Sequence, residues 1–135
     1  MPRCATAAVL AVLASVPLAS AADKPARPSG TWTRTVNEFT VTFTFQADTL
    51  TCDVSKTSGE SIVTQAAYGV TADGVLFGFI TNVDKKGTDA GPEKGDLFSF
   101  TMKLDKDTLK FGDFNSSRGR TDQAAQLLEG EYQKK

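Results

Sequence analysis

The stretch that decides the fold is EFTVTFTFQADTLTCDV, residues 38–54. In its first half, phenylalanine or valine on one parity alternates with threonine on the other. Two turn residues follow, and the apolar parity resumes at Leu50, Cys52 and Val54. Because successive side chains of a β-strand point to opposite faces, the pattern predicts a hairpin with one apolar face and one hydroxyl-rich face.

The same alternation recurs along the chain at intervals of roughly ten residues, which is typical of an antiparallel meander. It predicts strands at 31–36, 39–45, 50–55, 61–70, 74–83, 97–104, 108–114 and 131–135. Before the last strand, Thr121 can cap a short helix whose apolar face contains Ala124, Leu127 and Leu128, and Gly130 can end it. We therefore predict an all-β fold: an eight-stranded antiparallel up-and-down barrel with one short C-terminal helix. Pairing the first strand with the last would leave no exposed edge.

The first 22 residues have the composition of an export signal. Arg3 provides a positive start, and an apolar run too short to span a bilayer follows it. The small residues at 19–21 form the pattern that signal peptidase accepts. We expect cleavage after Ala21 or Ala22 and a secreted or periplasmic protein.

The mature chain would contain about 113 residues, enough for one domain. It would consist of a flexible, proline-containing lead-in at 23–29 and a barrel at 30–135. Loss of Arg3 leaves 14 basic and 16 acidic residues, a net charge of −2, so we expect no nucleic-acid partner. We expect a monomer without a membrane span.

The side chains available for catalysis are few. The chain contains no histidine, so Cys52 has no partner for an activated thiol pair, and its apolar parity predicts a buried, unreactive thiol. The loop at 84–96 mixes acidic and basic residues at a spacing that matches no calcium loop, and we interpret it as a solvent-exposed connection. We expect neither a metal nor a cofactor, and we predict that the protein is not an enzyme.

Gly30, Thr31 and Trp32 on the first strand, the continuous meander and the terminal GEYQK resemble the lipocalin-like (calycin) barrels. The chain as a whole also resembles small exported bacterial proteins of that architecture. In the superfamily, a G-x-W motif closes one end of the barrel and a late basic residue packs over the tryptophan ring, which implies a contact between Lys134 and Trp32. The T-D-Y motif and the disulfide of classical lipocalins are absent, so no ligand residue is transferred from the family.

An eight-stranded barrel has an interior that is either filled by side chains or able to hold one small ligand. The residues that we expect to face inward are Trp32, Phe39, Phe43, Phe45, Leu50, Phe77, Phe79, Phe98, Phe100, Met102, Leu104, Leu109 and Phe111. So many rings predict a mostly filled core with, at most, a shallow site at one mouth. The helix could cover that mouth or an apolar patch on the outer face of strand five, and the sequence leaves both positions open.

Arg34 shares the parity of Trp32, so its guanidinium should face the interior, where it needs a partner. It could anchor an acidic group of a ligand, with Trp32, Tyr68 and Tyr132 as further residues of the site. Alternatively, it could pair with a carboxylate such as Glu131 or with backbone carbonyls near a barrel end.

Three functions follow from these features. The favoured one is non-catalytic binding of a small apolar or acidic amphipathic molecule at a shallow site. The second is a filled-core interaction module of the cell envelope, or an inhibitor, that acts through its loops or its proline-containing N-terminal segment. The partner expected for the envelope module is an envelope protein. A carboxylate-based enzyme is the least favoured. The volume of any interior cavity separates the first two, because ligand pockets seldom measure less than roughly 300 Å³.

Overall fold

The computed structural model describes residues 27–119 and 121–135. The predicted export signal and residues 23–26 of the lead-in lie outside this part. The elements are β1 Gly30–Val36, β2 Phe39–Phe45, β3 Thr49–Lys56, β4 Ser61–Val70, β5 Val75–Lys86, β6 Leu97–Asp105, β7 Thr108–Ser116, α1 Asp122–Leu128 and β8 Gly130–Lys134.

The strands form a closed barrel in which each strand pairs with the next and β1 pairs with β8. Every pairing is antiparallel, and residues 38–54 form the β2–β3 hairpin with Phe43 opposite Cys52. The predicted eight-stranded meander barrel with one short helix before its last strand is confirmed. Among the residues described, no helix is long and apolar enough to cross a bilayer.

One end of the barrel is closed by Trp32, which is 2% exposed and donates from Nε1 to the carbonyl oxygen of Ser29 at 3.0 Å. Lys134 Nζ lies 5.7 Å from the centroid of the Trp32 ring, which confirms the expected contact. Arg27, from the lead-in that we expected to be flexible, stacks on Tyr68 at 5.0 Å. The lead-in therefore contacts the closed end from Arg27 onward.

The opposite end is open, and we call it the mouth. It is formed by the turns at 37–38 and 57–60, the loop at 87–96 and helix α1. Asn37 adopts a φ of 55°, a left-handed conformation that asparagine tolerates in tight turns.

The interior is asymmetric, because aromatic rings cover one wall and smaller side chains the other. Phe111 lies 5.2 Å from Phe43 and 4.7 Å from Phe100, and Tyr132 lies 5.3 Å from Phe43, measured between ring centroids. These rings come from β2, β6, β7 and β8. Toward the mouth, the inward side chains of β3 and β4 are smaller and include Cys52, Val54, Thr64 and Ala66, whereas β4 contributes the ring of Tyr68 nearer the closed end.

The expectation that Phe77 and Phe79 face inward was wrong. They are 49% and 46% exposed on the outer face of β5, while Leu76 and Ile80 are buried inside. Between these two lies Gly78, where an added Cβ would overlap the Phe98 ring of the neighbouring strand. The inner face of β5 thus needs a glycine because β6 supplies the ring that fills the space.

The omission of Phe114 from the inward residues was a second error. The β6–β7 register shifts between Ser99 and Thr101, and Asp113 adopts a φ of 48°. A bulge reverses the facing of the residues beyond it. Phe114 consequently turns inward, and its ring lies 5.1 Å from that of Phe100.

Candidate functional site

A cavity of about 570 Å³ opens at the mouth and extends into the barrel. Its inner part is lined by Phe43, Leu50, Cys52, Ile80 and Phe100, of which all but Cys52 are hydrocarbon. The expectation of a mostly filled interior is therefore correct for the closed end and wrong for the half of the barrel near the mouth.

The cavity exists because β3 and β4 place small side chains next to each other. Cys52 pairs with Thr64, and Val54 pairs with Ile62, and all four line the cavity. The rings of Phe98, Phe100 and Phe114, from β6 and β7, also line the cavity and leave this space unfilled. These lining residues were not predicted from the sequence, because the number of rings alone does not reveal which strands carry them.

Helix α1 lies at the mouth, where Ala124, Leu127 and Leu128 line the cavity. A helix of seven residues is unstable in isolation, so burial of its apolar face must stabilise it. Leu127 and Leu128 pack against the core of the barrel. At its start, the Thr121 side chain accepts a hydrogen bond from the backbone N–H of Ala124, as predicted from the capping pattern. Of the two positions left open by the sequence, the helix takes the one at the mouth.

Arg34 binds the helix and does not line the cavity. Its Nη1 donates to the carbonyl oxygens of Leu127 at 3.0 Å and Gln126 at 3.3 Å. Of the partners considered for this guanidinium, the structure contains the backbone carbonyls. Arg34 lines a separate shallow groove with Val36, Asp122, Ala125, Gln126 and Glu129.

The other three candidate residues also lie outside the cavity lining. Tyr68 is buried near the closed end and donates from its hydroxyl to the carbonyl oxygen of Gln46 at 2.8 Å. Trp32 lies at the same end. Tyr132 is fully buried and donates to the Leu128 carbonyl oxygen at 2.7 Å, and burial raises the pKa of its hydroxyl well above the usual range. The charge and hydrogen bond of Arg34 oppose this rise in the Tyr132 pKa, so the structure brings Arg34 and Tyr132 together. Tyr68 lies apart from them near the closed end, and none of the four lines the cavity.

Cys52 lines the cavity as a neutral thiol. Burial, and to a smaller extent the negative charge of Asp53, raise its pKa to about 12. It is free and buried, as its parity predicted. At neutral pH, this side chain presents a weakly polar, uncharged sulfur to the cavity.

The first charged cluster on the rim surrounds Lys56, which lines the cavity. Its Nζ lies 3.6 Å from Glu38 Oε1 and 3.6 Å from Glu60 Oε2. The ammonium also lies 5.7 Å from the centroid of the Phe39 ring. One cation is therefore flanked by two carboxylates at this part of the rim.

The second cluster organises the 87–96 loop. Lys85 Nζ contacts Glu93 Oε1 at 2.8 Å, and the hydrogen bond and charge of Lys85 lower the pKa of the Glu93 carboxyl. Asp96 accepts from the backbone N–H of Glu93 at 2.9 Å and contacts Arg118 Nε at 2.6 Å. The loop that we predicted at 84–96 begins at residue 87 in the structure, because β5 continues to Lys86. In the described ranges, no group of three or more acidic, cysteine or histidine side chains is placed to hold a metal.

The site is thus an apolar cavity with one open end and charged clusters on its rim. Comparison with known proteins adds no relative: no protein-family model, no curated protein and no solved structure matches the chain.

Proposed function

We propose that this protein is an exported, lipocalin-like carrier that binds a small apolar molecule in the mouth cavity without catalysing a reaction. The single observation that carries the proposal is the cavity of about 570 Å³ with an apolar interior and one open end. Ligand pockets of about 300–1,000 Å³ hold most of a small molecule's surface. The proposed site lies between the aromatic wall and β3–β4 and no longer includes Arg34.

The polar groups around the cavity support binding over chemistry. Cys52 is protonated at neutral pH, since burial raises its pKa to about 12. Lys56 and Arg118, the cations among the described lining residues, each lie within ion-pair distance of a carboxylate. Catalysis would require a nucleophile or base that is activated and directed at the ligand, whereas the Cys52 thiol is protonated and both cations are paired with carboxylates.

A fluorescence titration with N-phenyl-1-naphthylamine, a neutral probe that brightens in apolar surroundings, tests the proposal. We expect saturable binding that weakens at least about tenfold in Thr64→Phe, because the new ring occupies the cavity. Val63→Phe is the matched control, because Val63 precedes Thr64 on β4 and points to the opposite face. Absence of saturable binding, or equal loss in both variants, would contradict the proposal.

Export is the second part of the proposal, supported by the signal-like residues 1–22. The intact mass of protein recovered from the envelope or medium of its native host tests it. We expect a chain that starts at Ala22 or Asp23. A mass that retains residues 1–20 would contradict export by signal cleavage.

An interaction module of the envelope is the alternative, and one observation favours it. Phe77, Phe79 and Leu97 form an exposed apolar patch on the outer face of β5 and β6, where Phe79 pairs with Leu97. Exposed patches of this kind often mark contact surfaces. This alternative leads if the probe titration gives no saturable binding.

A further inference from the structure

The charged residues on the rim determine which kind of polar group is favoured at the end of a bound apolar molecule. This question rests on the proposed function, because it concerns a ligand whose apolar part occupies the mouth cavity. In the inner cavity, the described polar side chains are Cys52 and Thr64, and both are neutral. An apolar chain would lie there, and its polar end would remain at the rim.

At the rim, Lys56 cannot act as a free cation. Its ammonium lies 3.6 Å from each of two carboxylates, those of Glu38 and Glu60. These carboxylates keep about half of their surface exposed, with side-chain exposures of 52% and 44%. The cluster therefore has one more negative than positive charge and faces the solvent through its acids.

Two further cations at the mouth, Arg118 and Lys85, are also paired. Arg118 contacts Asp96 at 2.6 Å, and Lys85 contacts Glu93 at 2.8 Å. Arg34 donates to carbonyls of α1 and lies outside the cavity lining. Among the described residues that line the cavity, the cations are Lys56 and Arg118, and a ligand carboxylate would compete with an existing partner for each of them. Lys86 and Lys94, at the same end of the barrel, lie outside this lining.

We infer that the cavity selects apolar molecules with an uncharged polar end, such as a long-chain alcohol, over carboxylates of the same chain length. A carboxylate at the rim would lose hydration beside Glu60, which lines the cavity, and near Glu38, while the single cation between them, Lys56, is already shared by both acids. A hydroxyl would avoid the repulsion and could donate to the same carboxylates. This narrows the ligand class expected from the sequence, which included acidic amphipathic molecules.

The test is a calorimetric titration of the full mature chain with dodecanol and dodecanoate at mildly alkaline pH, where the carboxylate is ionised. We expect dodecanol to bind about tenfold more tightly than dodecanoate. In the double variant Glu38→Gln, Glu60→Gln, the ammonium of Lys56 becomes available. We expect dodecanoate to bind about tenfold more tightly than it does to the wild type, and dodecanol affinity to change by less than about threefold.

A control variant separates the local effect from the change in net charge. Asp48→Asn, Asp107→Asn removes two exposed carboxylates in turns at the closed end. We expect it to leave the ratio of the two affinities unchanged. The inference is overturned if wild-type protein binds dodecanoate as tightly as dodecanol, or if both double variants shift the ratio equally. In those cases the proposed function stands, because binding is observed, whereas binding of neither compound would overturn both.

Discussion

Arg34 on β1 and Leu127 in α1 lie 93 positions apart in the chain and are joined by a 3.0 Å hydrogen bond from Nη1 to the carbonyl oxygen. The same nitrogen lies 3.3 Å from the carbonyl oxygen of Gln126. Carbonyls in the last turn of a helix lack partners within the helix and carry partial negative charge. Arg34 therefore satisfies two such groups and ties the helix to the barrel at the mouth.

Replacing Arg34 by methionine should lower the free energy of unfolding by about 1–2 kcal/mol, since charged donors to carbonyls contribute about that much. The loss should be greatest in α1, so hydrogen exchange of the helix amides should accelerate more than exchange in β2 or β3. Arg34→Lys keeps the charge with fewer donors and should give an intermediate result. Unchanged protection of α1 in Arg34→Met would contradict this role.

Gly130 follows the helix and lies directly against the guanidinium of Arg34. Its φ is 133°, and an added Cβ would lie 2.5 Å from Arg34 Cζ. We expect Gly130→Ala to destabilise the protein by about 1–3 kcal/mol through strain and displacement of the guanidinium. Urea unfolding of both single variants and the double variant checks the coupling. The double variant Arg34→Met, Gly130→Ala should lose less stability than the sum of the single changes, and strict additivity would contradict the contact.

Cys52 should make the protein sensitive to alkali. Its pKa is raised from 9.0 to about 12 in the folded chain, so the folded state holds its proton more tightly. The resulting stabilisation is complete below pH 9 and is lost as pH rises toward 12, by up to about 1.4 kcal/mol per pH unit. Urea unfolding at several pH values should show a shallower alkaline decline for Cys52→Ala than for the wild type.

The comparison of Cys52→Ala with the wild type must be separated from two other effects on stability, lost packing and the titration of Tyr132. Cys52→Ala also loses packing at every pH, so the slope against pH and not the absolute stability is compared. Tyr132 contributes to the decline in both proteins, because burial raises its pKa as well. Identical slopes for the two proteins would contradict the assignment to Cys52.

The barrel could be predicted because period-two alternation in the 38–54 hairpin states directly which side chains share a face. Which face of β5 points inward could not be predicted, because both of its faces are apolar. Its inner face also includes Gly78, where any side chain would overlap the ring of Phe98. Phe114 was missed because the bulge at Asp113 has no strong signal in the sequence.

The site was predicted least well. Arg34 was the conspicuous residue, and its partners are helix carbonyls whose position depends on the tertiary fold. The cavity depends on small inward side chains of adjacent strands, such as Cys52 opposite Thr64. Pairing the predicted strands and adding side-chain volumes wall by wall would have revealed it, whereas the total number of rings does not.

The corrected facing of the phenylalanines leads to a stability prediction. Phe100 is 2% exposed, and its ring lies 4.7 Å from that of Phe111, so Phe100→Ala should cost about 3–5 kcal/mol. Phe79 is 46% exposed, so Phe79→Thr, which keeps a strand-favouring residue, should change stability by less than about 1 kcal/mol. Urea unfolding measures both. Comparable losses would mean that Phe79 is buried in solution.

The ion pair between Arg118 and Asp96 should control how fast a ligand enters and leaves the cavity. Arg118 Nε lies 2.6 Å from Asp96 Oδ2, which connects the 87–96 loop to the segment before α1, and both residues line the cavity. Arg118 is 53% exposed in its side chain, so Arg118→Gln should change stability by less than about 1 kcal/mol.

Breaking this ion pair at the opening should accelerate association and dissociation of N-phenyl-1-naphthylamine together, by about three- to tenfold, with little change in Kd. Stopped-flow fluorescence measures both rates, and Arg118→Lys, which retains the charge, should stay closer to the wild type. A change in Kd without a change in the association rate would show that Arg118 contacts the ligand and does not restrict its passage.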